Sequence, residues 1–294
     1  MIIAKDGLLG YIESCKVELT PSQRREAKIC ALVELGALSE RQRDEVCQAF
    51  SGEPCFQQSE LKNLRELGPW MFESCRTERL INDLLPMAEA GFHALILLHR
   101  PLKLEASLVG RACVVTDSEQ ETQILRYYAP SVFPVIHRQS DQDWHQGLFA
   151  GLSHWWIPGA DGWVDYLGRW ESPASDAVPF SGIELSPHLL AELSSDPLAL
   201  ELLAVLERDT PTIFPVACPG IRFSMVDQAL SLGRRAGLSS AADLGYFVSY
   251  SIANGKEATD TVAFQQAIQL AQGSSTPLAE VIRTTMMESR ERRP

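Results

Sequence analysis

Ser153 and His154 stand side by side in Gly151-Leu152-Ser153-His154-Trp155, and a serine with a neighbouring imidazole is the pair that nucleophilic hydrolysis uses. The elbow that presents such a serine needs glycine two places later, where the chain turns sharply from strand into helix. Trp155 fills that place, and its side chain would clash in the turn. Ser153 therefore reads as a strand or turn residue beside a large aromatic. A hydrolase using Ser153, His154 and a carboxylate such as Asp161 stays as the enzymatic alternative.

Metal and cofactor chemistry find less support. His137, His145 and His154 are spaced by 8 and 9 residues, so no two share a helix face, and neither H-E-x-x-H nor H-x-E occurs. His93 and His99 bound an apolar run and read as its two ends. No glycine-rich phosphate loop is present. The pairs Asp141 with Asp143 and Asp161 with Asp165 read as solvated loop positions. The expectation is a chain with no catalytic residue, no cofactor and no metal.

What the chain concentrates instead is aromatic surface. Arg126 to Trp170 holds five of the six tryptophans together with Tyr127, Tyr128 and Phe133. Each buried tryptophan removes roughly 150–250 Å² from water. These side chains must pack, either in a core or against a partner. Arg126, between Leu125 and Tyr127, reads as a strand residue whose cation pairs with a carboxylate or stacks on an aromatic.

The elements that carry these residues divide into two lobes. With 294 residues and 45% hydrophobic content, the chain can bury two cores. Residues 1–171 alternate apolar runs and helical stretches, the pattern of a mixed α/β lobe. His93 to His99 reads as a central strand covered on both sides. Arg111 to Thr116 and Thr122 to Tyr128 read as an antiparallel pair joined by the polar loop 117–121. Ser39-Glu40-Arg41-Gln42 is a capping box opening a helix to about Phe50. Residues 172–185, with Pro173, Pro179 and several serines, read as a linker. Residues 186–294 show helical periodicity only, in about five segments: a helical lobe.

Bulk properties narrow the partners. A net charge of −12 without a basic stripe argues against nucleic acid and suits solubility and a basic or neutral protein partner. No apolar run is long enough for a bilayer, and the opening residues carry Lys5 and Asp6 rather than a leader pattern, so the cytoplasm is expected. Seven scattered cysteines without a C-x-x-C pair read as small buried hydrophobes in a reducing compartment.

Four phrases, in order, resemble one family. They are Lys28 to Leu38 (KICALVELGAL), Leu67 to Glu73 (LGPWMFE), Gly91 to Leu98, and Leu125 to Pro130 (LRYYAP) followed by Trp155, Trp156 and Trp163. Together with Arg235 to Gly255 they look like the effector adaptor or chaperone family of the bacterial type VI secretion system. The resemblance implies a non-enzymatic cytoplasmic protein that binds a toxic effector and loads it onto the VgrG spike. It places the first phrase in a strand, which breaks the helix opened at Thr20-Pro21 near Lys28. Two positions depart from the family pattern: Glu34 and Ala129 stand where aspartates are expected. With that role, Trp70, Arg126, Tyr127, Tyr128, Trp155, Trp156 and Trp163 are the expected partner-binding residues. An immunity-type inhibitor of a toxin, also acidic and bound to one partner, is the remaining alternative.

Overall fold

Lys28–Glu34 (β2) and Phe92–Leu98 (β5) are almost wholly apolar, so as strands they are stable only with both faces covered. The computed structural model, which describes residues 1–116, 122–168, 180, 182–194, 196–273 and 276–291, sets them side by side. They lie in a seven-stranded sheet ordered β1-β9-β8-β5-β2-β4-β3. The other strands are β1 Ile2–Ile3, β3 Ser51–Pro54, β4 Pro69–Glu73, β8 Leu152–Pro158 and β9 Trp163–Leu167. Every ladder in it is antiparallel. Alternation distributes the side chains: Cys30, Leu32, Ala94, Ile96 and Leu98 enter one core, and Ile29, Ala31, Val33, Leu95 and Leu97 enter the other.

Different helices close the two faces. Leu8–Glu18 (α1) and Glu40–Ala49 (α3) bring Leu8, Ile12 and Val46 to the second core. Pro21–Glu26 (α2) ends at Ala27, and β2 starts one residue later, so the break near Lys28 is as expected. The expected capping box forms between Ser39 and Gln42, and the structure adds a second between Thr20 and Gln23. The first core is covered by the helix Leu102–Ala112, which buries Leu102, Ala106 and Val109, and by the aromatic stretch from Tyr127 to Phe149.

Two local expectations change. Arg111 and Ala112 belong to the end of the Leu102–Ala112 helix, so the small second sheet holds only Val114–Thr116 (β6) and Thr122–Ile124 (β7). The helical spacing of Leu102, Ala106 and Val109 outweighs the β-propensity that follows. Arg126, Tyr127 and Tyr128 then lie beyond β7, where Ala129 N bonds Arg126 O in a turn. The loop 117–121 lies outside the described residues.

The chain divides into two compact units, Met1–Ser194 and Ser195–Pro294. The α/β lobe followed by a helical lobe is therefore the architecture, with a boundary later than position 186. Ile183, Leu185 and Leu189 pack in the first core of the sheet unit, and Leu189 carries the helix Pro187–Leu193 with it. Most of the expected linker, 172–179 and 181, lies outside the described residues, as does Trp170.

The second unit consists of Pro197–Asp209, Pro219–Arg235, Ala241–Asn254, Val262–Gly273 and Leu278–Glu291, with the short Lys256–Thr259 between. Asp196 and Ser240 cap the first and third through their side chains. Gly255, at φ 82°, ends the third in a conformation that disfavours a side chain. Leu206, Val226, Leu230, Phe247, Val248, Phe264 and Ile268 fill its core, whereas Val205 of the first helix is exposed.

Candidate functional site

The antiparallel ladders carry two bulges, and each sits beside a polar cluster. Between β2 and β5 the pairing steps from Leu32–Ala94 to Val33–Phe92, leaving His93 as an extra residue. Between β5 and β8 it steps from Leu97–His154 to Leu98–Leu152, leaving Ser153 extra. A bulge re-aims side chains that strict alternation would place elsewhere.

At the first bulge, residues from three of the separated phrases meet. Glu34 ends β2, and its Oε1 lies 2.8 Å from an Arg126 guanidinium nitrogen. His93 Nε2 lies 3.3 Å from Glu34 Oε2. Among the described residues neither His93 ring nitrogen makes a hydrogen bond. The Tyr128 ring meets the His93 ring edge-on at 5.0 Å, and its buried hydroxyl has no hydrogen-bond partner among the described residues. Burial pushes the Tyr128 hydroxyl well above its ordinary range, so it stays protonated. Gly91 is required beside this cluster, because a Cβ there would collide with the Glu34 carbonyl oxygen.

Exposure separates the parts of this cluster. The Glu34 side chain is 10% exposed, whereas that of Arg126 is 64% exposed. Glu34 thus anchors an arginine whose side chain is largely exposed. A guanidinium held at one end by a buried carboxylate is pre-organised to bind a second acceptor. For the departure at position 34, a carboxylate is retained and engaged.

The second cluster answers the question posed by Ser153 and His154. His154 Nδ1 lies 3.0 Å from Asp165 Oδ1, and the Tyr11 hydroxyl donates to Asp165 Oδ2 at 2.9 Å. His154 stacks on Trp156, two residues along the same strand face, at 5.0 Å and 4°. Asp165 is therefore no solvated loop residue; it sits in β9 with its side chain 4% exposed. It ties α1 to β8. The sharp strand-to-helix turn of a nucleophile elbow is absent, since Ser153 lies inside β8.

As expected, no two of His137, His145 and His154 share a helix, since they lie in Phe133–Arg138, Asp143–Phe149 and β8. His137 and His145 lie with ring centroids 5.9 Å apart, and His145 Nε2 bonds the His137 carbonyl oxygen. His154 is engaged with Asp165 and Trp156 instead. Among the described residues no group of histidine, cysteine or carboxylate side chains is arranged to hold a metal.

The expected partner-binding set is corrected by burial. Tyr127, Tyr128, Trp155, Trp156 and Trp163 are each at most 3% exposed. Trp155 stacks on Phe133 at 4.6 Å, and Trp163 meets Phe92 edge-on at 5.9 Å. They are packing residues on both sides of the sheet, because β8 and β9 are flanked by cores. Trp70 is half-buried, with its indole N–H donating to the Arg65 carbonyl. Arg126 alone of the set is exposed.

Sequence reasoning missed His93 as a site member, since it read as the end of a strand, and placed Asp165 in solvent. The alternation of Trp163-Val164-Asp165-Tyr166-Leu167 is the signal that could have placed Asp165 in a strand. Cys15, Cys30, Cys55, Cys113 and Cys218 are buried, Cys47 and Cys75 are exposed, and no disulfide joins any two of them among the described residues. No described helix is long and apolar enough to cross a membrane. In comparisons with known proteins, the chain matches no family model, no curated protein and no solved structure.

Proposed function

We propose that this chain is a non-enzymatic cytoplasmic adaptor that binds a toxic effector and loads it onto the VgrG spike of a type VI secretion system. The observation that carries the reading is the convergence of the resembling phrases. Lys28–Glu34, Pro69–Glu73 and Phe92–Leu98 are adjacent strands of one sheet, and Arg126 of the fourth phrase bonds Glu34 of the first. Phrases scattered over a hundred residues thus describe one local constellation. Such an arrangement supports a shared scaffold more than a chance sequence match.

The role suits the site's chemistry. Arg126 offers a guanidinium 64% exposed and paired with the buried Glu34, and arginine is among the residues that most often anchor protein interfaces. The half-buried Trp70 belongs to the same sheet, on β4. An acidic chain remains soluble until it meets its partner.

Genetic delivery and protection assays separate this reading from an inhibitor. Removing the chain is expected to abolish delivery of the effector encoded beside it. Expressing it alone in a target cell is expected to give no protection. Delivery that persists without the chain, or full protection by it, would defeat the proposal.

A further inference from the structure

We propose that the cleft at the end of strands β2 and β4, far in the sheet order from the β1 edge, binds an acidic polypeptide segment carrying an apolar side chain. The inference stands on the cleft and does not depend on the adaptor reading. The cleft has a volume of about 510 Å³ and gathers residues from α1, β2, β3 and the chain after β4. That is the size of an ordinary ligand site.

Charge is the first argument. Lys16, Lys28 and Arg79 line the cleft, Glu73 is the one carboxylate of the lining, and Glu13, outside it, pairs with Lys16 at 2.7 Å with side chains 50% and 27% exposed. Lys28 is bridged to Glu73 at 3.0 Å, with side chains 49% and 36% exposed. Arg79 faces Asp83 at 3.6 Å, with both side chains about half exposed. Pairs this exposed are weak and exchange readily for an incoming carboxylate.

The mounting of the cations is the second argument. Lys16 Nζ donates to Thr77 Oγ1 at 2.6 Å, and Thr77 Oγ1 donates to Glu13 Oε1 at 3.1 Å. Thr77 is buried, so this network fixes one wall between α1 and the segment after β4. The Arg79 guanidinium lies over the Phe50 ring, 4.9 Å from its centroid, and donates to the Ala49 carbonyl. The cations are therefore held at the rim rather than swinging free.

The floor is apolar: Phe50 and Ile29, both buried in the second core, with Ala27 beside them. A simple inorganic anion would leave that floor unused. Ser51, at the start of the edge strand β3, adds a strand end against which an extended peptide can lie. Anionic groups for the rim and an apolar side chain for the floor together describe an acidic segment with an embedded aromatic or aliphatic residue.

Cys75 lines the cleft as an exposed free thiol and supplies its own reporter. Cys47, exposed but outside the lining, is the internal control. The rate of maleimide labelling at each thiol would be measured on the full chain by peptide mapping. The probes are a polyglutamate peptide with one central phenylalanine, the same peptide built on lysine, inorganic phosphate and citrate. Protection of Cys75 but not Cys47 by the acidic peptide, weakened roughly tenfold in apparent affinity by Lys28→Ala with Arg79→Ala, is the expected result. No protection, equal protection in the double variant, or equal protection by the lysine peptide would overturn the proposal. Protection by phosphate or citrate without protection by the peptide would overturn it too, and assign the cleft to small anions. Both substitutions are at exposed side chains, and circular dichroism would verify that the variant is folded.

Discussion

The sheet unit and the helical unit solve the same packing problem with different materials. The helical unit buries Leu206, Val226, Phe247, Phe264 and Ile268, and its buried polar residues are only Ser251 and Thr259 among those described. The sheet unit buries Glu34, Thr77, His93, Glu105 and His145 alongside its aromatics. A buried polar group without a full set of hydrogen bonds costs stability. The difference teaches that the helical unit is built as a plain core, whereas the sheet unit retains costly groups at particular places. The Glu34–His93–Tyr128 cluster is one of them, and it mounts the exposed Arg126.

The aromatic core of the sheet unit sets the largest expected effect. Trp155→Ala removes a side chain 2% exposed that stacks on Phe133, and should cost about 3–5 kcal/mol in denaturant unfolding. A cost under about 1 kcal/mol would mean that this tryptophan is held free for a partner.

Glu105 sharpens the contrast through pH. It is 1% exposed on the Leu102–Ala112 helix, and Arg100 Nη1 lies 3.6 Å from its Oε2, too far for a hydrogen bond. Burial, opposed by Arg100, pushes its carboxyl from 4.5 up to about 7. The fold therefore holds this proton more tightly than the unfolded chain does. Its contribution to stability is fully present below about 4.5, declines as pH rises and is lost above about 7. Glu105→Gln should flatten that decline and stabilise the protein at pH 8 by up to about 3 kcal/mol. Parallel pH profiles of the two proteins in thermal unfolding would contradict it.

A smaller loss is expected at the bulge. Glu34→Gln keeps the shape but removes the charge beside Arg126, and should cost about 1–2 kcal/mol. Because Arg126 is exposed, Arg126→Ala should cost at most about 1 kcal/mol in stability. Its effect should appear in partner binding instead, and equal losses in both measurements would make the pair purely structural.

The smallest effect belongs to Ser153. Ser153→Ala should change stability by no more than about 0.5 kcal/mol and leave function intact. Loss of function in that variant would revive the hydrolase alternative.

What was legible in the sequence follows the range of the forces involved. The capping box at Ser39 and the helix start at Thr20-Pro21 act within one turn, and both form. The unbroken apolar run ending at Leu98 marked a two-sided central strand for the same local reason. The bulges at His93 and Ser153 were not legible, because a bulge is a property of two strands paired. Asp165 read as a loop carboxylate since its Tyr11 partner lies 154 residues away. The aromatics posed a choice between core and docking surface that composition alone left open; burial on both faces of β8 places Trp155 and Trp156 in the two cores.

Reconstitution from three purified components tests the proposed role most directly. Tagged VgrG spike would be mixed with the effector encoded beside this chain, with and without the chain, and the effector retained on the spike measured. The account predicts retention that depends on the chain and weakens with Arg126→Ala. Equal retention in its absence would contradict it.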